Sequence, residues 1–342
     1  MSRGLKRALL VLGAAGALGG CHMAQKLANP GSLSLSDLEQ GARTVGDARE
    51  CAKLDDPMVA TQEEYALGGA VATRWVQRGG GLFLEAAKAG AKAGSAGKVN
   101  EVTLYLNRVG KNLAAQSSRP TLPWTFGVLE SPAVNAVSSP GGYVLVTRGL
   151  LNAVENEAQL AGVLAHEIAH VTERHALRVY TRVKRNQCAV ALGAREGAQG
   201  LPPALRDGAD AFRRASNAAG GFLDLDGSVG LLTHLSNKVV DELTTQGFEH
   251  GDEFEADQRA LSLVISAGYH PGEFIALLGQ LPGGARGYAN HPANAERQAR
   301  LRTWLAQQKA RPGEFADVDP DWASLPKVPF KDQLRPARLA AR

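Results

Sequence analysis

The chain has 342 residues, 44% hydrophobic and 21% charged, which is enough to bury a sizeable core around one main domain with appendages. Its formal charge of +4 is spread along the sequence and is not gathered into basic runs, so a pI near 9.0 gives no support to a nucleic-acid partner.

Arg3, Lys6 and Arg7 form a positive head, followed by an uncharged, mostly apolar stretch over residues 8–20. That stretch is shorter than the roughly 20 residues a membrane-spanning helix needs, so residues 1–20 read as a secretory signal rather than an anchor. The stretch ends in Leu18-Gly19-Gly20-Cys21, which resembles the bacterial lipobox and would make Cys21 a lipid-modified mature N-terminus. Acyl chains contribute about 0.8 kcal/mol per buried CH₂, so several of them would hold the protein at a membrane surface. Lipoproteins retained at the inner membrane often carry Asp where His22 stands, so the resemblance points to the outer membrane, facing the periplasm. The alternative is an ordinary cleavage site with a chance cysteine. In an oxidising compartment the two remaining cysteines, Cys51 and Cys188, are expected to form a disulfide, with buried free thiols as the alternative.

Residues 21–62 are polar and mixed, with a turn signal at Asn29-Pro30-Gly31, and read as a tether. A helical pattern starts at residue 63 (Tyr65, Leu67, Ala70, Val71, Trp75), and a second follows the Gly79–Gly81 break as far as about residue 93. Residues 99–115 give a third helix, with Val102, Leu104, Leu106, Val109 and Leu113 apolar. The period then changes. Residues 124–129, 133–137 and 143–147 are short β-type runs separated by Ser131-Pro132 and Ser139-Pro140-Gly141-Gly142, which predicts a small antiparallel sheet.

A long helix is predicted from about Asn152, carrying Leu160, Val163, Leu164, Ile168 and Val171. Residues 176–230 are rich in Ala, Gly and charge, and read either as flexible helices or as a covering insertion. Helices follow over residues 231–244, 252–267 (closing at Gly268-Tyr269-His270-Pro271) and 294–308. The domain so outlined covers residues 63–305, and a Pro-containing tail occupies residues 306–342.

The chemistry is carried by His166-Glu167-Ile168-Ala169-His170. On a helix the two histidines share a face one turn apart and can reach a single ion at about 2.0 to 2.1 Å. Glu167 lies about a hundred degrees around, where a carboxylate can take a proton from an activated water. The arrangement with a third histidine downstream would need Gly and His where Glu173 and Ala176 stand, and is excluded. His175 is out of register with the pair and reads as a structural or surface histidine pointing away from their face.

The third ligand is sought in Asp252-Glu253-Phe254-Glu255-Ala256-Asp257, where Glu253 and Asp257 share a helix face. Glu253 is the expected ligand. Asp257 is placed to accept the free N–H of a ligating histidine, and Glu255 faces elsewhere. Without a metal, this segment would be only an acidic helix start favoured by the helix dipole.

With these residues in view, the sequence resembles the zinc peptidases related to HtpX and the CAAX prenyl endopeptidases, in their periplasmic lipoprotein branch, over about residues 63–304. The matching residues are Asn135-Ala136, Pro140-Gly141-Gly142-Tyr143, Thr147-Arg148-Gly149-Leu150, Glu157 with Leu160-Ala161-Gly162, the H-E-x-x-H, the segment 253–257, and His291-Pro292 with Arg297. The resemblance implies a gluzincin: an α+β, predominantly helical metalloprotease with a small sheet beside the active-site helix, holding one Zn²⁺ per chain through His166, His170 and Glu253. It further implies that residues 133–137, with Asn135 and Ala136, receive substrate as an added strand, and that His291 and Arg297 approach the zinc. These two could steady a tetrahedral oxyanion, or His291 could bind zinc and gate the site. A Pro-started helix with an exposed Arg is the bland alternative.

The function expected from this resemblance is hydrolysis of unfolded or misassembled envelope polypeptides at the periplasmic face of the outer membrane. The rival is a metal-bound, non-hydrolytic chaperone or assembly factor using the same cleft, against which an intact Glu167 counts.

Overall fold

The computed structural model describes residues 59–83, 101–197, 229–281 and 294–309. In chain order the elements are α1 (Thr61–Arg78), α2 (Glu101–Ala115), β1 (Thr125–Leu129), β2 (Ala136–Ser139), β3 (Tyr143–Thr147), α3 (Arg148–Ala153), α4 (Glu157–Thr172), α5 (His175–Gly197), α6 (Val229–Thr245), α7 (His250–Ser266), α8 (Pro271–Gln280) and α9 (Asn294–Lys309). The α+β class holds, with helices predominating. The described residues divide into two compact units, one of residues 59–63, 177–197 and 229–239 and one of residues 64–83, 101–176, 240–281 and 294–309.

The larger unit is organised by α4. Asn156 caps this helix, its side chain accepting from the Gln159 amide at 2.9 Å and donating through Nδ2 to Glu273 at 2.7 Å. This cap corrects the predicted helix from Asn152: the segment is two helices, α3 and α4, separated by extended residues around Val154. Beyond the cap α4 is apolar nearly all round, and such a helix belongs in a core. Leu160, Leu164 and Ile168 pack with Leu261 and Val264 of α7, Phe274 and Leu277 of α8, and Leu106 and Leu113 of α2. Each such side chain contributes about 1.5–3 kcal/mol on burial. Gly162 lets α8 approach closely, since a Cβ there would fall 2.4 Å from Cβ of Phe274. Helix α8 was not anticipated: the Pro271 read as a stop is a helix-starting proline, with His270 as cap.

The sheet is mixed, which corrects the antiparallel expectation. β3 lies in the centre, antiparallel to β2 and parallel to β1. After β1 the chain crosses to the far side, runs back as β2, and reverses into the gap as β3. The reversal uses Gly141 and Gly142 at φ of 76° and 95°, conformations that favour glycine. β1 and β3 therefore run the same way, and β2, beginning at Ala136 rather than residue 133, is an outer strand.

In the smaller unit Tyr180 and Lys184 both donate to Oε1 of Glu63, at 2.5 and 2.6 Å, among buried Leu177, Val179 and Val183. Cys188 is fully buried and disulfide-bonded. Cys51, its expected partner, lies outside the described residues, as do Cys21, His291, the helix expected up to residue 93 and most of the tail. Among the described residues no helix is long and apolar enough to cross a membrane.

Candidate metal centre

Helical spacing on α4 sets His166 and His170 one turn apart, with their Nε2 atoms 3.1 Å from each other. Helix α7 packs along α4 and presents Glu253 to both: its Oε2 lies 3.5 Å from Nε2 of His166, and its Oε1 lies 3.6 Å from Nε2 of His170. The three residues are buried, at 4%, 1% and 0% exposure. A tetrahedral zinc site with bonds of about 2.0–2.1 Å has ligand atoms about 3.3–3.4 Å apart. The observed edges bracket that value, so the donor set fits a small cation of this kind, and His166, His170 and Glu253 form a group able to hold one.

The side chains behind the ligands differ. Nδ1 of His166 stands 3.0 Å from Oδ1 of Asp257, and Asp257 is held by Arg297. Arg297 is 5% exposed, so the bland reading of an exposed arginine does not hold. Its guanidinium binds both carboxylate oxygens of Asp257, and its Nη2 also lies 3.4 Å from Nδ1 of His166, so it approaches the metal group as expected. Burial opposes a charge on His166, but hydrogen bonds to Asp257 and Glu253 outweigh it and push the ring up to about 9. Burial likewise opposes ionisation of Asp257, yet the hydrogen bonds and charge of Arg297 hold it below the usual carboxylate range.

His175 corrects the sequence reading. It is fully buried, and its Nδ1 lies 2.7 Å from Nδ1 of His170. Continued helical register would point it away, but α4 ends at Thr172, and Arg174 at φ 59° turns the chain so that α5 begins with His175 beside the preceding turn. The available signal was the polar run Thr172-Glu173-Arg174 between two apolar stretches. Phe248 was also missed. Its ring stacks on His170 with centroids 4.2 Å apart and planes 18° apart. Glu255 projects from α7 with its side chain 41% exposed, off the face of Glu253 as expected, and its Oε2 comes 3.4 Å from Nε2 of His175.

Glu167 is 3% exposed and lines a pocket together with Ala136, Val137 and Ser138 of β2 and with Trp75, Leu243 and Phe248. The acidic neighbour of the first histidine therefore opens onto the outer strand. Asn135, just ahead of that strand, donates its main-chain N–H to Oγ1 of Thr147 at 3.0 Å.

Residues 100–305 match the sequence model of peptidase family M48. The chain is similar to a mitochondrial metalloendopeptidase OMA1 of Schizosaccharomyces pombe, 29% identical over 224 residues, which cover 61% of this chain and 55% of the relative. It is similar also to the beta-barrel assembly-enhancing protease of Escherichia coli strain K12, 28% identical over 201 residues, covering 58% of this chain and 37% of the relative. A mitochondrial OMA1 of Arabidopsis thaliana is 28% identical over 193 residues, covering 55% and 33%. The matches thus span about half or less of the length of these relatives. With the match covering well over half of its own length, the chain belongs to peptidase family M48.

Proposed function

We propose that this chain is a zinc-dependent endopeptidase that hydrolyses unfolded or misassembled polypeptides of the bacterial cell envelope. The observation that carries this reading is the convergence of His166, His170 and Glu253 next to a pocket that holds Glu167 against the outer strand β2. His166, His170 and Glu253 would hold the ion. When bound there, zinc polarises the scissile carbonyl and lowers the pKa of the attacking water toward 7.

The protein's own groups do the rest. Glu167 accepts the proton of the attacking water and returns it to the leaving amine, a transfer within one pocket. Asp257, braced by Arg297, keeps the His166 ring turned so that Nε2 faces the metal group. An extended peptide adds to β2 through main-chain hydrogen bonds, which are blind to side chains and suit polypeptides lacking tertiary structure. Among the described residues the side-chain amide nitrogen of Asn135 is buried with no hydrogen-bond partner, so a substrate carbonyl would satisfy it, supporting a binding role for Asn135 and Ala136.

Placement at the periplasmic face of the outer membrane, through lipid on Cys21, is part of the same proposal. It is supported by the lipobox-like Leu18-Gly19-Gly20-Cys21 and by the name of the bacterial relatives, which refers to β-barrel assembly. His291 as an oxyanion stabiliser or a gate, and a Cys51–Cys188 bridge, belong to it as well.

The test is cleavage of casein by the purified chain, abolished by chelation and restored by stoichiometric zinc. A zinc-loaded protein that captures casein without cutting it would instead favour the chaperone reading. Radiolabelled palmitate incorporated in a bacterial host and lost in Cys21→Ala checks the anchor, and labelling that persists in that variant would remove it.

A further inference from the structure

A histidine can ligate through Nε2 only when that nitrogen carries a lone pair. In the neutral ring the proton then sits on Nδ1, which needs an acceptor. For His166 the acceptor is the carboxylate of Asp257. For His170 the atom at hydrogen-bond distance is Nδ1 of His175, 2.7 Å away, in a ring that is fully buried and set at 76° to it. Phe248 stacks on His170 and lies 5.8 Å from His175 on one side, while carboxylate oxygens of Asp252 and Glu255 lie within 4.8 Å of a His175 ring nitrogen on the other. To accept from His170, Nδ1 of His175 must hold a lone pair, and the proton of His175 then lies on Nε2. That nitrogen faces Oε2 of Glu255 at 3.4 Å, and an ionised carboxylate only accepts. The hydrogen bonds therefore run in one consistent direction, from His170 to His175 to Glu255.

We infer that His175 is a positioning residue for the metal site: it fixes the tautomer and ring plane of His170, and Glu255 in turn orients His175. This rests on the zinc-peptidase reading. The two histidine ligands are thereby supported unequally. His166 is backed by a carboxylate locked in a buried ion pair, with side-chain exposures of 1% and 6%. His170 is backed by an imidazole in contact with a carboxylate, Glu255, whose side chain is 41% exposed. The His170 side is the weaker one, where removing the supporting group loosens the ion without removing a ligand. The Arg174 turn, which breaks helical register, is what brings His175 to this place.

The experiment uses the full chain loaded with zinc. Nitrogen-15 NMR of the histidine side chains should show His170 protonated at Nδ1 and a ¹⁵N–¹⁵N coupling through the hydrogen bond between Nδ1 of His170 and Nδ1 of His175. This measurement needs no variant, and absence of the coupling overturns the proposal. In His175→Leu, zinc affinity by chelator competition should fall about 10- to 100-fold, the usual effect of removing such a partner. His175→Gln, whose amide oxygen can accept, should recover much of that loss. Glu255→Gln should keep zinc but shift the His175 Nε2–H signal.

Wild-type affinity in His175→Leu, alongside zinc loss in His166→Ala, overturns the positioning role and leaves the zinc reading intact. A wild-type chain that binds no zinc overturns both.

Discussion

Arg297 binds both carboxylate oxygens of Asp257, donating from Nε to Oδ2 at 2.8 Å and from Nη2 to Oδ1 at 2.6 Å, while Oδ1 also lies 3.0 Å from Nδ1 of His166. A guanidinium on α9 thus reaches a metal-ligand candidate on α4 through a carboxylate on α7, joining the three helices at one point. Removing one partner of a buried pair leaves the other charged and alone, at a cost of about 3–5 kcal/mol. Arg297→Ala should lower stability by that order in urea unfolding and weaken zinc retention. Arg297→Lys keeps the charge but loses the two-pronged geometry, and should fall between. Unchanged stability in Arg297→Ala would mean that Asp257 is solvated well enough without it.

The ligand set is tested by metal content. His166→Ala, His170→Ala and Glu253→Ala should each purify with essentially no zinc, because three protein ligands are the usual minimum for a catalytic site. Glu255→Ala should keep it, being on another face of α7 with a half-exposed side chain. Mass-spectrometric metal analysis decides this, and an empty site in Glu255→Ala beside a full one in Glu253→Ala would reassign the third ligand.

Protons and metal compete for His166. Its pKa rises from 6.5 to about 9 on folding, so in protein stripped of metal the protonated ring contributes stability that is fully present below about pH 6.5. That contribution is lost as the pH rises through about 9. Zinc needs the lone pair, so loading at about pH 7.5 must expel the proton, and apparent affinity should fall as the pH falls. Calorimetry in two buffers of different ionisation enthalpy should give different heats. Equal heats would show that the ring is already neutral when zinc arrives.

What the sequence made legible here follows from local geometry. His166, Glu167 and His170 sit within one helix turn, and Glu253 with Asp257 within another, so 3.6-residue periodicity sufficed to place each set on a face. Where local periodicity broke, the reading failed. Helical register continued past Thr172, where α4 ends, misplaces His175, and Pro271, which follows one helix as a stop signal would, also starts α8. The mixed sheet was not readable either, since the order β1-β3-β2 depends on which strand fills the gap, and each strand alone shows only an apolar run. The pocket beside Glu167 draws Trp75, Val137, and Leu243 with Phe248 from three separated segments, and only the folded chain brings them together.

Glu167 differs in kind from the ligands beside it. It follows His166 directly but is turned about a hundred degrees around the helix, into the pocket lined by β2 rather than toward Glu253. Its removal should therefore spare the metal. Glu167→Gln keeps size and one hydrogen-bonding oxygen but removes the base, and positioned acid–base catalysis typically contributes about 10²- to 10⁴-fold. Casein cleavage should fall by at least that order while zinc content stays at the wild-type level. On the proposed capture of peptide by main-chain groups of the outer strand β2, the variant should still hold unfolded polypeptide and accumulate it uncleaved, detectable by co-purification. A Glu167→Gln protein that retains zinc and cleaves at the wild-type rate would place the base elsewhere. Loss of zinc from this variant would instead make Glu167 part of the metal site, contrary to its position in the pocket.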